Sequence, residues 1–182
     1  MRQADVQRKT RETDVDLVLA LDGDGNARVD CDDQFLRHML ETLAKYGSMD
    51  LGVAATGDND HHLIEDVAIV LGLGLRKAMG DAPVSRIASS IVPMDDALVM
   101  VSLDLIDRPY VDIECPDQLF HHFLRSLAMS ASFTLHVTVM RGMDDHHIVE
   151  ATFKALGLAL KDALRPRGEL LSTKDEPEIR SA

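Results

Sequence analysis

Slid against itself by 85 residues, the sequence matches at ten of the 23 positions from Gly57 to Met79. The matched residues are Gly57, Asp60, His61, His62, Glu65, Leu71, Gly72, Leu73, Leu75 and Ala78. They fall on Gly142, Asp145, His146, His147, Glu150, Leu156, Gly157, Leu158, Leu160 and Ala163. Further upstream, a shift of 84 lays "RHMLETLA" at 37–44 over "HHFLRSLA" at 121–128, with His38 on His122. This is an internal duplication. It constrains the fold before any element is assigned, because two copies of one unit must share a core.

Each copy reads strand, strand, helix, strand, helix. "VDLVLAL" (15–21) and "ARVDC" (27–31) are strand-like around a "DGDGN" turn, a hairpin signal. Phe35, Leu36, Met39, Leu40 and Leu43 share one face of a helix that Gly47 is expected to stop. "MDLGVAAT" is a strand, and a second helix opens at "DHH" with Asp60 as its expected cap. The second copy repeats this with strands "ALVMVSLDLI", "PYVDIEC" and "FTLHVTVM", and helices near 117–130 and 145–164. The order ββαβα, twice, predicts an α+β architecture with helices on one face of each sheet. The whole chain, 1–182, is expected to form a single domain of two repeats, 8–91 and 92–165, with a polar tail from 166 to 182.

Apolar residues make up 46% of the chain, which excludes a disordered polymer, and 4% aromatics with no Trp demand an aliphatic core. No apolar run approaches the roughly 18 residues of a membrane span and no leader opens the chain, so a cytoplasmic location is expected. The formal charge of −12 argues against nucleic acid or an anionic membrane as partner. It does not exclude a small phosphorylated molecule. Cys31 and Cys115 are expected to be reduced.

Six of the eight histidines lie in the duplicated motifs. Successive helical residues diverge by about 100°, so His61 and His62 point apart. His62 shares a face with Glu65, and His147 with Glu150. If the two DHH helices meet across a pseudo-twofold axis, His62, Glu65 and His146 surround one ion, and His147, Glu150 and His61 a second. His38 and His122 are placed to add a fourth ligand each. Mixed imidazole and carboxylate sets suit Mn, Fe, Co or Zn and are too nitrogen-rich for Mg or Ca. His121 and His136 have no repeat mate, and structural roles are expected for both.

Together, "DHHLIEDVAIVLG", "DDHHIVEATFKALGLAL", "RKTRET" (8–13), "VPMDDAL" (92–98), "DRPY" (107–110) and "STK" (172–174) resemble imidazoleglycerol-phosphate dehydratase over nearly the whole chain. The resemblance implies a ribosomal protein S5 domain 2-like fold with four-stranded mixed sheets. It implies a hydro-lyase of histidine biosynthesis that dehydrates imidazole glycerol phosphate to imidazole acetol phosphate through a metal-bound imidazolate. It implies two divalent ions per site, Mn²⁺ first with Zn²⁺, Fe²⁺ and Co²⁺ as alternatives. One would take His38, His62, Glu65 and His146, the other His61, His122, His147 and Glu150. Glu12 would reach the substrate, in a neighbouring subunit's site; Glu12, Glu65 and Glu150 are the candidate catalytic carboxylates, and Glu12 is chemically reasonable as a proton shuttle. Arg86, Arg108, Lys154, Ser172, Thr173 and Lys174 would hold the phosphate, within a homo-oligomeric cage of twenty-four subunits with sites at interfaces. Departures from the family pattern are Tyr46 for a histidine, Arg37 for an aspartate, "DDQF" for a glycine-rich run, and Ile106 and Asp107 before Arg108. The rival readings are a dinuclear phosphoesterase of the DHH type and a non-catalytic assembly protein stapled by metals.

Overall fold

Each repeat begins one strand earlier than the sequence pattern indicates. The computed structural model describes residues 2–169 and 171. The first repeat comprises β1 (Gln3–Lys9), β2 (Thr13–Ala20), β3 (Ala27–Asp30), α1 (Gln34–Gly47), β4 (Asp50–Gly57) and α2 (Asp60–Met79). The second comprises β5 (Ile87–Met94), β6 (Ala97–Asp104), β7 (Tyr110–Ile113), α3 (Gln118–Ala131), β8 (Thr134–Arg141) and α4 (Asp145–Ala163). β1 and β5 are outer strands whose residues are mostly polar or exposed, which hides them from a hydrophobic pattern. The boundary expected between 91 and 92 falls inside β5.

The architecture is α+β, as expected, with two four-stranded mixed sheets of order β1-β2-β4-β3 and β5-β6-β8-β7. The "DGDGN" turn is not a hairpin. β2 pairs antiparallel with β1 and β4, whereas β3 pairs parallel with β4. Gly25 does adopt positive φ (79°), and its N–H neighbours lie close to Asp50, which accepts from the amides of Asp24 and Asn26. The turn therefore crosses over the end of β4 instead of reversing onto β2.

Helices α1 and α2 cover one face of the first sheet, and α3 and α4 one face of the second. The two helical layers then pack on each other, α2 against α3 and α1 against α4. Leu36, Met39, Leu40, Leu43, Phe123, Leu124, Leu127, Phe153 and Leu156 fill the space between them. Each helix is capped by a side chain: Asp33, Asn59, Asp117 and Asp144 accept from first-turn amides. Asn59, not Asp60, caps α2. Both α1 and α3 end on a left-handed serine, Ser48 and Ser132, in place of the glycine expected at the end of α1. Cys31 and Cys115 are free, 84 residues apart, and each Sγ donates to a carbonyl two residues on, so they are repeat mates and not a bridge.

The helix crossings depend on two of the duplicated glycines. A Cβ on Gly72 would lie 2.7 Å from the Leu127 carbonyl oxygen and 2.8 Å from Ser130 Cβ. A Cβ on Gly157 would lie 2.9 Å from the Gly47 nitrogen and 3.0 Å from the Leu43 oxygen. Both obstacles are mainly backbone and cannot swing aside. Gly157→Val is expected to force α4 off α1 at a cost of about 1–3 kcal/mol. The gain in helix propensity, only a few tenths of a kcal/mol, does not offset it. Thermal unfolding should fall by roughly 2–4 °C per kcal/mol, and a variant that melts with the parent would refute the contact.

Candidate metal centre

The first turns of α2 and α4 carry the paired histidines, and the crossings decide what faces them. His61 and Glu65 lie one turn apart on α2, and α3 brings His122 against both. His122 Nε2 sits 3.0 Å from Glu65 Oε1, and the His61 and His122 rings are 5.0 Å apart between centroids. One ligand atom from each of His61, Glu65 and His122 falls within 4.8 Å of the others. His122 Nε2 is also buried without an aligned hydrogen bond, an atom in want of a partner.

The second cluster is its repeat mate. Glu150 lies one turn beyond His146 on α4, and α1 brings in His38. His38 Nε2 and His146 Nε2 approach Glu150 Oε2 at 3.5 and 3.4 Å. The other oxygen, Oε1, is 2.9 Å from Lys154 Nζ. Burial pushes the Glu150 carboxyl up, but the hydrogen bond and charge of Lys154, then those of His38, outweigh it and the net shift is downward.

The structure thus groups the residues differently from the sequence reading. His38 lies with His146 and His61 with His122, and Glu65 joins the second group and Glu150 the first, where the sequence reading had the two carboxylates the other way round. The reason is packing: α2 meets α3 and α4 meets α1, rather than α2 meeting α4. Each glutamate then faces inward with the first histidine of its pair, at i+4, and not with the second at i+3.

His62 and His147 point elsewhere. His62 Nδ1 lies 2.7 Å from Asp58 Oδ1, 2.8 Å from Asn59 Nδ2 and 3.7 Å from Glu12 Oε2. His147 Nδ1 lies 2.6 Å from Asp96 Oδ1, and its Nε2 is 3.4 Å from Asp95. The Asp58 hydrogen bond raises the His62 pKa, and the Asp96 hydrogen bond raises that of His147. Asp96 is in turn held down to about 2 by His147 and by the amides of Met143 and Asp144. Glu12, Asp58 and His62 form a second group of potential ligands within 4.8 Å.

Glu12 sits in the β1–β2 turn with its side chain 58% exposed. Its amide donates to Thr10 Oγ1, and its carbonyl accepts from the Asp58 amide, so the turn rests on the loop that opens α2. Asp66, beside Glu65, accepts from Arg8 and Thr13 and ties this turn to α2. Lys154 is 15% exposed and lies against Met94 and, at 5.8 Å, over the Tyr46 ring. Arg86, at φ 70°, pairs with Asp104 at 2.8 Å and donates to the Leu171 carbonyl. Arg108 is exposed; Asp107 beside it is engaged by Arg76 at 2.7 Å, so its charge is partly answered. Among the described residues neither Arg86 nor Arg108 touches a histidine cluster. Ser172, Thr173 and Lys174 lie outside the described residues. His136 lies near Tyr110 and Asp112, away from both clusters.

Sequence reasoning passed over Asp58, Asp95 and Asp96. A signal existed: the shift of 84 that aligns β1–β2 with β5–β6 lays Asp96 on Glu12.

A family model described as imidazoleglycerol-phosphate dehydratase matches residues 32–160. A protein of that name from Methanothermobacter thermautotrophicus is 47% identical, over 96% of this chain and 97% of the relative. One from Desulfitobacterium hafniense is 44% identical, over 96% and 97%. Among solved structures, the Pyrococcus furiosus protein in complex with (S)-C348 superposes with a TM-score of 0.82 at 37% identity, over 92% and 98% of the two chains. The Staphylococcus aureus imidazoleglycerol-phosphate dehydratase gives 0.82 at 29% identity, over 91% and 99%.

Proposed function

The chain belongs to the imidazoleglycerol-phosphate dehydratase family, and on that footing we propose that it dehydrates imidazole glycerol phosphate to imidazole acetol phosphate in histidine biosynthesis. It is a hydro-lyase. The observation that carries the reading is the pair of histidine–carboxylate clusters, each assembled from both repeats.

The donor sets fit divalent transition ions. Two imidazoles approach one carboxylate in each cluster, and a divalent cation held there would give His122 Nε2 the partner it lacks. We assign His61, His122 and Glu65 to one ion and His38, His146 and Glu150 to the other, with Mn²⁺ the favoured metal. His62 and His147 are proposed to complete these sets in a neighbouring subunit, because they point away from their own clusters. That geometry favours a homo-oligomer, and the twenty-four-subunit cage is its proposed form. A cytoplasmic location accords with a chain in which no described helix is long and apolar enough to cross a membrane.

Bound in such a site, divalent ions would act as Lewis acids on the substrate's ring nitrogens and as a template for the ring. The remaining work falls to the chain. Electron density from the imidazole ring expels the hydroxyl on the adjoining carbon, and Glu12 accepts the proton from the next carbon. The resulting enol becomes the ketone by reprotonation, so one water leaves in total. Arg86, Arg108, Lys154, Ser172, Thr173 and Lys174 are proposed to hold the phosphate, a bidentate guanidinium being suited to it. Lys154 also holds Glu150 Oε1, leaving Oε2 to the histidines.

The decisive assay incubates the metal-loaded protein with imidazole glycerol phosphate and, separately, with small phosphodiesters. Formation of imidazole acetol phosphate without phosphate release is the expected outcome. Phosphodiester cleavage with no ketone formed would transfer the site to the rival phosphoesterase reading.

A further inference from the structure

Duplication gave this chain two equivalent carboxylates, one in each first hairpin turn. Shifting by 84 superposes β1 on β5 and β2 on β6, and so places Glu12 on Asp96. Their surroundings have diverged. The Glu12 carboxylate makes, among the described residues, one charged approach, 3.7 Å from His62 Nδ1. Asp96 is fully engaged: Oδ1 meets His147 Nδ1 at 2.6 Å, and Oδ2 accepts from the Met143 and Asp144 amides at 2.6 and 3.2 Å. In the first repeat the corresponding grip on the histidine comes from Asp58, four residues upstream in the same loop.

We propose that Asp96 is a positioning residue that locks His147 with its proton on Nδ1 and its lone pair on Nε2, the nitrogen offered to a metal. A carboxylate accepts and does not donate, so the ring nitrogen hydrogen-bonded to it at 2.6 Å must carry the hydrogen, while Nε2, 3.4 Å from Asp95 Oδ2, makes no hydrogen bond among the described residues. The same carboxylate pins the loop that opens α4 through the Met143 and Asp144 amides, which fixes where the ring points. Asp58 faces His62 Nδ1 at 2.7 Å, with Asn59 Nδ2 beside it at 2.8 Å, and thereby releases Glu12 from the duty its repeat mate performs. One turn carboxylate became a clamp and the other was left free to carry protons. The inference rests on the assignment of His147 as a metal ligand.

The test is Asp96→Asn. The asparagine oxygen still accepts from the Met143 and Asp144 amides, so the loop stays pinned. Its amide then faces His147 Nδ1 as a donor, and the ring must move its proton to Nε2, the wrong nitrogen for ligation. Titration of metal-stripped protein with Mn²⁺, followed by electron paramagnetic resonance, should resolve two classes of site. In the D96N variant one class is expected to weaken about 10–100-fold while the other is unmoved. Thermal unfolding of the metal-free protein should match the parent. His147→Ala serves as the benchmark and should weaken the same class. If His147→Ala weakens one class and D96N titrates like the parent, the clamp is refuted while the ligand assignment stands. If His147→Ala leaves both classes intact, the ligand assignment and the clamp fall together. A D96N protein that loses its fold, or both classes alike, also overturns it, since Asp96 would then support structure alone.

Discussion

Replacing Glu12 by glutamine is expected to lower turnover by about 10²–10⁴-fold, the range over which a positioned acid–base group contributes. The substitution keeps the size of the side chain and removes its capacity to take and return a proton. Little else should change. Among the described residues the carboxylate meets one partner, His62 Nδ1, at 3.7 Å, while the turn itself is held by backbone and Thr10 contacts that glutamine leaves in place. Metal content and subunit count are therefore expected to equal those of the parent, measured by elemental analysis and light scattering. Turnover within a few-fold of the parent would remove Glu12 from the mechanism. A loss of assembly along with activity would favour the stapling role for the metals.

Chelation carries the other large effect. Dialysis against a strong chelator should reduce dehydration to background, and Mn²⁺ should restore it where Mg²⁺ and Ca²⁺ do not. The ligand sets explain the selectivity: each cluster offers two imidazole nitrogens for one carboxylate, and hard cations of the Mg²⁺ and Ca²⁺ kind prefer oxygen. Removal of His122, which lies against Glu65 at 3.0 Å, should cost one ion and spare the other. Full activity in metal-stripped protein would end the metal reading.

Much of the fold was legible because a duplicated amphipathic helix advertises itself twice. Leu36, Met39, Leu40 and Leu43 are all buried, and so are Phe123, Leu124 and Leu127 on the mate. What escaped had physical causes. β1 and β5 are outer strands, β1 mostly polar and β5 apolar but largely unburied, and their presence is settled by pairing with β2 and β6. The "DGDGN" stretch has hairpin composition, but the strand it leads to finds its partner in β4. The histidines were legible as candidate ligands by residue type and repetition. Their grouping was not, because Glu65 lies near both His61 and His62 on an isolated helix. Only the crossing of α2 with α3 selects His61, and that crossing is a property of packing. Asp58 and Asp96 escaped for a related reason: one acts from a loop and the other from a hairpin 51 residues away.

The glycine contacts bear on how the two ion clusters can fail. Gly72 seats α2 on α3, the helices that carry His61, Glu65 and His122, and Gly157 seats α4 on α1, the helices that carry His38, His146 and Glu150. No helix belongs to both seats. Damage at one glycine is therefore expected to disturb the three residues of one cluster more than those of the other, as a fault on one of two parallel circuits leaves the other live. A protein with one cluster intact and the other pulled apart becomes a reachable state that a symmetric core with a common pivot would forbid.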